Sequence, residues 1–376
     1  MKKIAVITLN GYFNYGNRLQ NYALQETLKS LGFLAETLVI KDKPNESAPL
    51  KVRFLNLLKK PPDEIIKRLI YKIIVKKRED KINYIRTKLF RKFTYKYIRE
   101  TDYDIYADVI PENLSGKYEY FITGSDQVWN PAYTKGASVY FLTFAEEHKR
   151  IAYAPSFGVS EIASEHQDYY KKMLAGIPYL SVREDDGAGI IKNLTGREVP
   201  VLVDPTLLLT KEQWIKIAKK ARYKPEGEYL VTYFLGGMTD IYKKNIKKLA
   251  KKMRLEIVNL GDIKEKYYLT GPDEFIDYTK DCSAVLTDSY HGTIFSIIFE
   301  KPFAVFDRSG EIPMISRIDT LLNKFNLQGR KIGNMSLKKD LFKIDFSHVP
   351  NILEAERKKS LDYLKKALKI EDAEQL

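Results

Sequence analysis

Short apolar runs recur along this chain, each breaking off into a turn rich in glycine, asparagine or serine, with helical periodicity usually following. Residues 4–9, 34–40, 118–123, 150–154, 199–203, 229–235, 255–260, 284–286 and 302–306 are such runs, and 180–182 ends a shorter one. Unbroken apolar runs of this length suit strands buried on both faces of a parallel sheet, with the helices as crossovers. The alternation restarts after residues 205–225, where a helix over 214–221 is followed by Lys224-Pro225-Glu226-Gly227-Glu228. The spacing therefore predicts an α/β chain of two Rossmann-like domains, 1–205 and 206–376, with a cleft between them and a terminal helix over 353–370.

Ligands of such sheets bind at the carboxyl ends of the strands, so the turns there carry the candidate chemistry. The run at 284–286 opens into Thr287-Asp288-Ser289-Tyr290-His291-Gly292-Thr293, and His291 is one of only 4 histidines. A histidine in such a turn titrates near neutral pH and suits general acid–base work. Gly292 permits close backbone approach, and the N–H groups that open the next helix can hold an anion. The alternative is a capped strand–helix turn whose histidine satisfies a backbone group. Near the start, Asn14, Gly16, Asn17 and Arg18 form the turn between the first run and a helix over 19–31. They either face the cleft or supply an ordinary βα turn. This turn is neither a GxGxxG fingerprint nor a phosphate-binding P-loop. Gly124-Ser125-Asp126-Gln127-Val128-Trp129-Asn130 places small and polar groups beside an indole, a combination suited to a sugar. Arg183 either holds a carboxylate or phosphate bidentately or pairs with Asp185 or Asp186.

Composition narrows the class. No apolar run approaches the roughly 20 residues that span a bilayer. The apolar start at residues 4–9 is too short for a signal peptide and reads as a strand. With Cys282 as the single cysteine, an intrachain disulfide is impossible and a cysteine-based zinc site is disfavoured, so a cytoplasmic protein is expected. The formal charge is +14, and residues 51–100, with 17 Lys/Arg against 5 Asp/Glu, hold +12 of it. Residues 41–63 read as a loop, and 64–99 as a basic amphipathic helical insert bearing Lys67, Arg68, Lys72, Lys76 and Lys77. Such a helix packs by its apolar side with a solvated basic face, or lies on an anionic membrane surface. No nucleic-acid-binding motif accompanies the charge, so no nucleic-acid partner is expected.

Taken together, Asn14-Tyr15-Gly16-Asn17, Gly124 to Asn130, Ser181-Val182-Arg183-Glu184, Asp204-Pro205-Thr206 and Ser289-Tyr290-His291-Gly292 resemble, in order, the motifs of the polysaccharide pyruvyl transferase family over roughly residues 1–310. The resemblance implies a GT-B-like fold. It implies transfer of enolpyruvyl from phosphoenolpyruvate to two hydroxyls of a sugar or lipid-linked oligosaccharide as a cyclic ketal, without metal or cofactor. It makes His291 the acid/base and Arg183 a donor-binding residue, helped by Ser289, Tyr290, Gly292 and Thr293. Gly124, Ser125, Asp126, Gln127 and Trp129 then join the Asn14–Arg18 turn in the cleft. It also implies work in the cytoplasm, in contact with the inner face of the membrane if the basic insert docks there.

One position departs from the family pattern. Many members carry arginine two residues before the histidine, and here that residue is Ser289, whose hydroxyl cannot replace a guanidinium. Arg308 and Arg317 are the candidates to take its place. Two other readings stay open: a nucleotide-sugar glycosyltransferase of GT-B type, and a carbohydrate-binding relative that has lost catalysis.

Overall fold

The computed structural model describes residues 2–41, 75–107, 109–308 and 315–370. The first sheet consists of β1 (Lys3–Ile7), β2 (Leu34–Lys41), β3 (Glu100–Tyr106), β4 (Tyr120–Thr123) and β5 (Arg150–Ala152). Its strand order is β3-β2-β1-β4-β5 and every pair is parallel. The second sheet, ordered β7-β6-β8-β9, contains β6 (Tyr229–Tyr233), β7 (Glu256–Asn259), β8 (Ala284–Thr287) and β9 (Phe303–Val305), again all parallel. The central strands β4, β6 and β8 are buried along their whole length, as unbroken apolar runs require. The chain thus has the GT-B-like plan of two Rossmann-like sheets.

Helices α1 (Tyr15–Ser30), α2 (Lys77–Tyr97), α3 (Ser164–Ala175) and α4 (Asp185–Thr195) belong to the first half, and α5 (Lys211–Ile217) follows them. The second half carries α6 (Asp240–Met253), α7 (Pro272–Asp281), α8 (Tyr290–Ile298), α9 (Ile315–Lys324) and α10 (Val349–Ala367). Among the described residues, no helix is long and apolar enough to cross a membrane.

Three expectations change. The runs at 180–182 and 199–203 are not strands but single bridges, Ile151 to Tyr179 and Val182 to Val201, that prolong the first sheet beyond β5. Pro178 and Pro200 lack the N–H that a longer ladder needs, and the Ser181 hydroxyl takes the place of a ladder carbonyl by accepting from the Ala154 N–H at 3.0 Å. Strand β3 has no apolar run: its Glu-Thr-Asp-Tyr-Asp-Ile-Tyr sequence buries only Thr101 and Ile105, as an edge strand can. Finally, α10 reaches back to the first half while Glu356 keeps its pair with Lys324 of α9 at 2.8 Å. Tyr363 donates to the Ala152 carbonyl at 2.9 Å, Lys359 to Val201 at 3.2 Å, and Arg357 to Leu207 and Leu209 at 2.6 Å each.

Part of the basic segment is structural. Helix α2 buries Arg86, Phe90, Phe93 and Thr94. Arg86 donates to the Tyr15 hydroxyl and the Phe13 carbonyl, both at 3.1 Å, and to the carbonyl of Tyr268, so α2 ties α1 to the second half. Tyr15 completes the junction, its ring stacked 4.5 Å from Phe275 and 5.2 Å from Phe90. The expected loop over 42–63 and the first part of the basic helix, 64–74 with Lys67, Arg68 and Lys72, lie outside the described residues.

Candidate active site

Each sheet changes winding direction beside its first strand, between β1 and β4 in one and between β6 and β8 in the other. Crevices at such points receive ligands in open α/β sheets. Here the two crevices adjoin, because the first turns of α1 and α8 touch. Asn14 caps α1, its Oδ1 accepting from the Gly16 N–H at 2.9 Å, and Gly16 lies directly against the His291 imidazole.

The α8 turn is rigidly built. Thr287 Oγ1 accepts from the Ser289 N–H at 2.9 Å, and Ser289 Oγ caps the helix by accepting from the Gly292 N–H at 3.3 Å. Asp288 accepts from the N–H groups of Leu235 and Gly236 at 2.7 and 2.8 Å, which locks the turn to the end of β6. Burial raises the Asp288 carboxyl above its ordinary value, against those two N–H groups and Arg308.

His291 is buried, with Nε2 3.5 Å from Asp204 Oδ2. That is an ion-pair separation, and Nε2 makes no hydrogen bond. Asp204 is the hub. Its Oδ2 accepts from Arg183 at 2.7 Å and from Ser125 Oγ at 3.0 Å, and its Oδ1 from the Thr206 N–H and hydroxyl at 3.0 and 2.7 Å. Burial opposes its ionisation, but His291, Arg183 and Thr206 outweigh burial and hold the carboxyl far below the usual carboxylate range.

Arg183 is fully enclosed, and its partners are neither Asp185 nor Asp186. It pairs with Asp204 and, at 3.5 Å, with Asp126, while its guanidinium lies 4.5 Å from the centre of the Tyr290 ring. Burial disfavours its charge, yet Tyr290, Asp204 and Asp126 together raise its pKa. Arg317 approaches the same ring, 5.8 Å from its centre. Burial, Arg183 and Arg308 push the Arg317 pKa down to about 10, with Glu184 and Asp126 opposing. Arg308 sits 3.7 Å from Asp288. Arg183 and Arg317 thus flank Tyr290, and Arg308 acts on Arg317 from its place by Asp288, among the carboxylates of Asp126, Glu184 and Asp204.

The remaining expected residues divide. Ser125 and Asp126 belong to this network, and Gly124, at φ +112, lets the chain pass the Tyr153 carbonyl where a side chain would collide. Trp129 corrects the reading of a sugar-stacking face. It is 0 % exposed, stacked on Phe141 at 5.5 Å, with Nε1 donating to the Tyr140 carbonyl at 3.1 Å. An indole in this position fills the core under β4 and β5. Gln127 is also inward, accepting from Asn130 at 2.8 Å. Arg18 is buried and paired with Glu100 at 2.6 Å, beside Asn17 in the same helix. The N–H groups of Gly292 and Thr293 are taken by Ser289, through its Oγ and its carbonyl, and so do not face a ligand as expected. Asp204 is the residue that the turn-by-turn reading passed over. In the sequence Asp204-Pro205-Thr206 figures among the motifs of the family resemblance with no role assigned, and nothing local reveals its approach to His291.

A polysaccharide pyruvyl transferase family model matches residues 14–310. No curated protein matches the chain in sequence. Similar solved structures include an S. aureus MnaA–UDP co-structure, 11 % identical with TM-score 0.49, covering 99 % of this chain and 98 % of that one. Another is the UDP-GlcNAc 2-epimerase of Methanocaldococcus jannaschii in complex with UDP-GlcNAc and UDP, 12 % identical with TM-score 0.46, covering 98 % and 99 %. A third is the ADP-heptose LPS heptosyltransferase II of E. coli, 13 % identical with TM-score 0.32, covering 95 % and 99 %.

Proposed function

Because the chain belongs to the polysaccharide pyruvyl transferase family, we propose that it moves pyruvyl from phosphoenolpyruvate onto two hydroxyls of one sugar, as a ketal, during surface-polysaccharide assembly in the cytoplasm. In this reaction the methylene carbon of the donor gains a proton and becomes a methyl group. Two new C–O bonds form at the central carbon, and the C–O bond to phosphate breaks. Of the two hydroxyl protons, one ends on the methyl carbon and the other on the released phosphate, so the protons balance without metal or cofactor.

One observation carries the reading: a buried histidine held between Gly16 and Asp204, next to a tyrosine flanked by Arg183 and Arg317. With Nε2 turned to Asp204, Nδ1 is the nitrogen that passes protons. The imidazolium protonates the donor, and the neutral imidazole it leaves then accepts a hydroxyl proton. Arg317 and Arg308 hold the carboxylate and phosphate in place of the arginine that Ser289 replaces. Arg183, already engaged by two carboxylates, acts by holding Asp204 and by its charge.

The test is release of phosphate from phosphoenolpyruvate with a panel of nitrophenyl and lipid-linked sugars, followed by detection of the ketal methyl group by NMR. His291→Ala is expected to lower turnover by about 10²–10⁴-fold. A folded protein that fails to bind phosphoenolpyruvate, with or without acceptor, overturns the pyruvyl assignment.

A further inference from the structure

Helix α6 buries only Ile246, Leu249 and Ala250. Lys243, Lys244, Lys247, Lys248, Lys251 and Lys252 are all exposed. Their spacings of three and four residues set them in two adjacent rows on the side of the helix away from the buried residues, a ladder about 14 Å long at 1.5 Å per residue. The one acid on the helix before its last turn, Asp240, lies 3.4 Å from Lys243 at the helix start. Two large apolar side chains are exposed beside that start: Ile241 at 70 % and Leu235, in the preceding turn, at 41 %. By helical spacing Ile241 shares its row with Lys244 and Lys248.

Lysines alone would suit any polyanion. Exposed apolar groups at the head of a lysine ladder gain nothing from a polar polymer, but they do gain from an acyl phase beneath anionic headgroups. We propose that α6 docks the protein on an anionic phospholipid surface, its lysines over the headgroups and Ile241 and Leu235 at the headgroup–acyl boundary. This surface is separate from the basic segment at 51–100. It is also coupled to the site: Asp288, in the α8 turn two residues before Tyr290, holds the N–H groups of Leu235 and Gly236. The end of α6 that enters the lipid is therefore the end beside the cleft. A lipid-linked acceptor reaches the cleft from the surface on which the protein sits. The docking itself does not depend on the pyruvyl reading.

The full chain is to be co-sedimented with phosphatidylcholine vesicles with and without phosphatidylglycerol, at low and high salt. Binding that requires phosphatidylglycerol and weakens with salt is expected. Near an anionic membrane each lysine is worth roughly fivefold, so combining Lys244→Glu, Lys248→Glu and Lys251→Glu is expected to weaken partitioning by at least about a hundredfold. Ile241→Ser is expected to weaken it by roughly tenfold at constant charge. All four positions are exposed, so the circular dichroism spectrum and thermal midpoint serve as the folding control. Three outcomes overturn the proposal: no binding to phosphatidylglycerol vesicles at low salt, unchanged binding by the folded charge-reversed variant, or unchanged binding by Ile241→Ser. The last would leave a plain polyanion stripe, and competition by an oligonucleotide would identify it.

Discussion

Gly16, at the start of α1, and His291, at the start of α8, occupy adjoining space: a β-carbon on Gly16 would stand 2.5 Å from the imidazole Cε1 and closer still to Nδ1. The glycine is there because a side chain from one half of the molecule would fill the place of the histidine from the other. Gly16→Ala is therefore expected to displace the imidazole from Asp204. Turnover should fall by about 10²–10⁴-fold, while overpacking costs about 1–3 kcal/mol of stability. Phosphate release alongside a thermal melt checks both. Full activity in the alanine variant would show that the contact does not fix the histidine.

Asp204 is expected to control acid stability. Its carboxyl titrates lower in the folded chain than in the unfolded one, where about 3.9 is usual. As pH falls, the unfolded chain takes up this proton first. The stability that Asp204 lends is thus complete above about pH 5 and declines below about pH 4. In Asp204→Asn this acid-sensitive part should vanish. The variant should also lose about 3–5 kcal/mol at neutral pH, since Arg183 keeps its buried charge without its closest partner. Urea unfolding at a series of pH values measures both effects.

Arg183 and Arg317 should separate when replaced. Arg183→Ala strands Asp204 and Asp126, so its main effect is expected to be destabilisation of about 3–5 kcal/mol. Arg317→Ala removes a guanidinium whose charge burial and its neighbouring arginines already disfavour, so the effect on stability should be smaller than for Arg183→Ala. Loss of its hydrogen bonds to an anionic donor, roughly 1.5–3 kcal/mol each, should weaken phosphoenolpyruvate binding by about ten- to a hundredfold. Calorimetric titration of both variants, with their melting curves, decides the assignment. Undiminished donor binding by Arg317→Ala would return the donor to another residue.

Cys282 reports on the packing of the second half. It is buried at the end of α7, its thiol pushed up to about 12 by burial, with Sγ donating to the Thr279 carbonyl at 3.2 Å. A disulfide reagent at neutral pH is expected to leave it unmodified until the chain unfolds, because the thiolate is the reacting form. Rapid labelling of the native protein would contradict this packing.

The sequence alone settled most of the alternation of strands and helices, because unbroken apolar runs and capped turns are local signals; edge strand β3, which has no such run, escaped it. Residues 284–293 announced β8, a polar turn and α8 without help from elsewhere. It also settled that His291 would stand at a strand end, since the register of one strand and one turn is enough for that. Tertiary structure decided what each polar turn does. Trp129 reads locally as a stacking face and is in fact core, because burial depends on what packs over a side chain. Arg183 reads as a donor ligand, but Asp204 and Asp126 arrive from other strand ends to claim it. The meeting of Gly16 with His291 joins residues 275 positions apart in the chain. No periodicity encodes such a contact, which appears only when two sheets bring their crevices face to face.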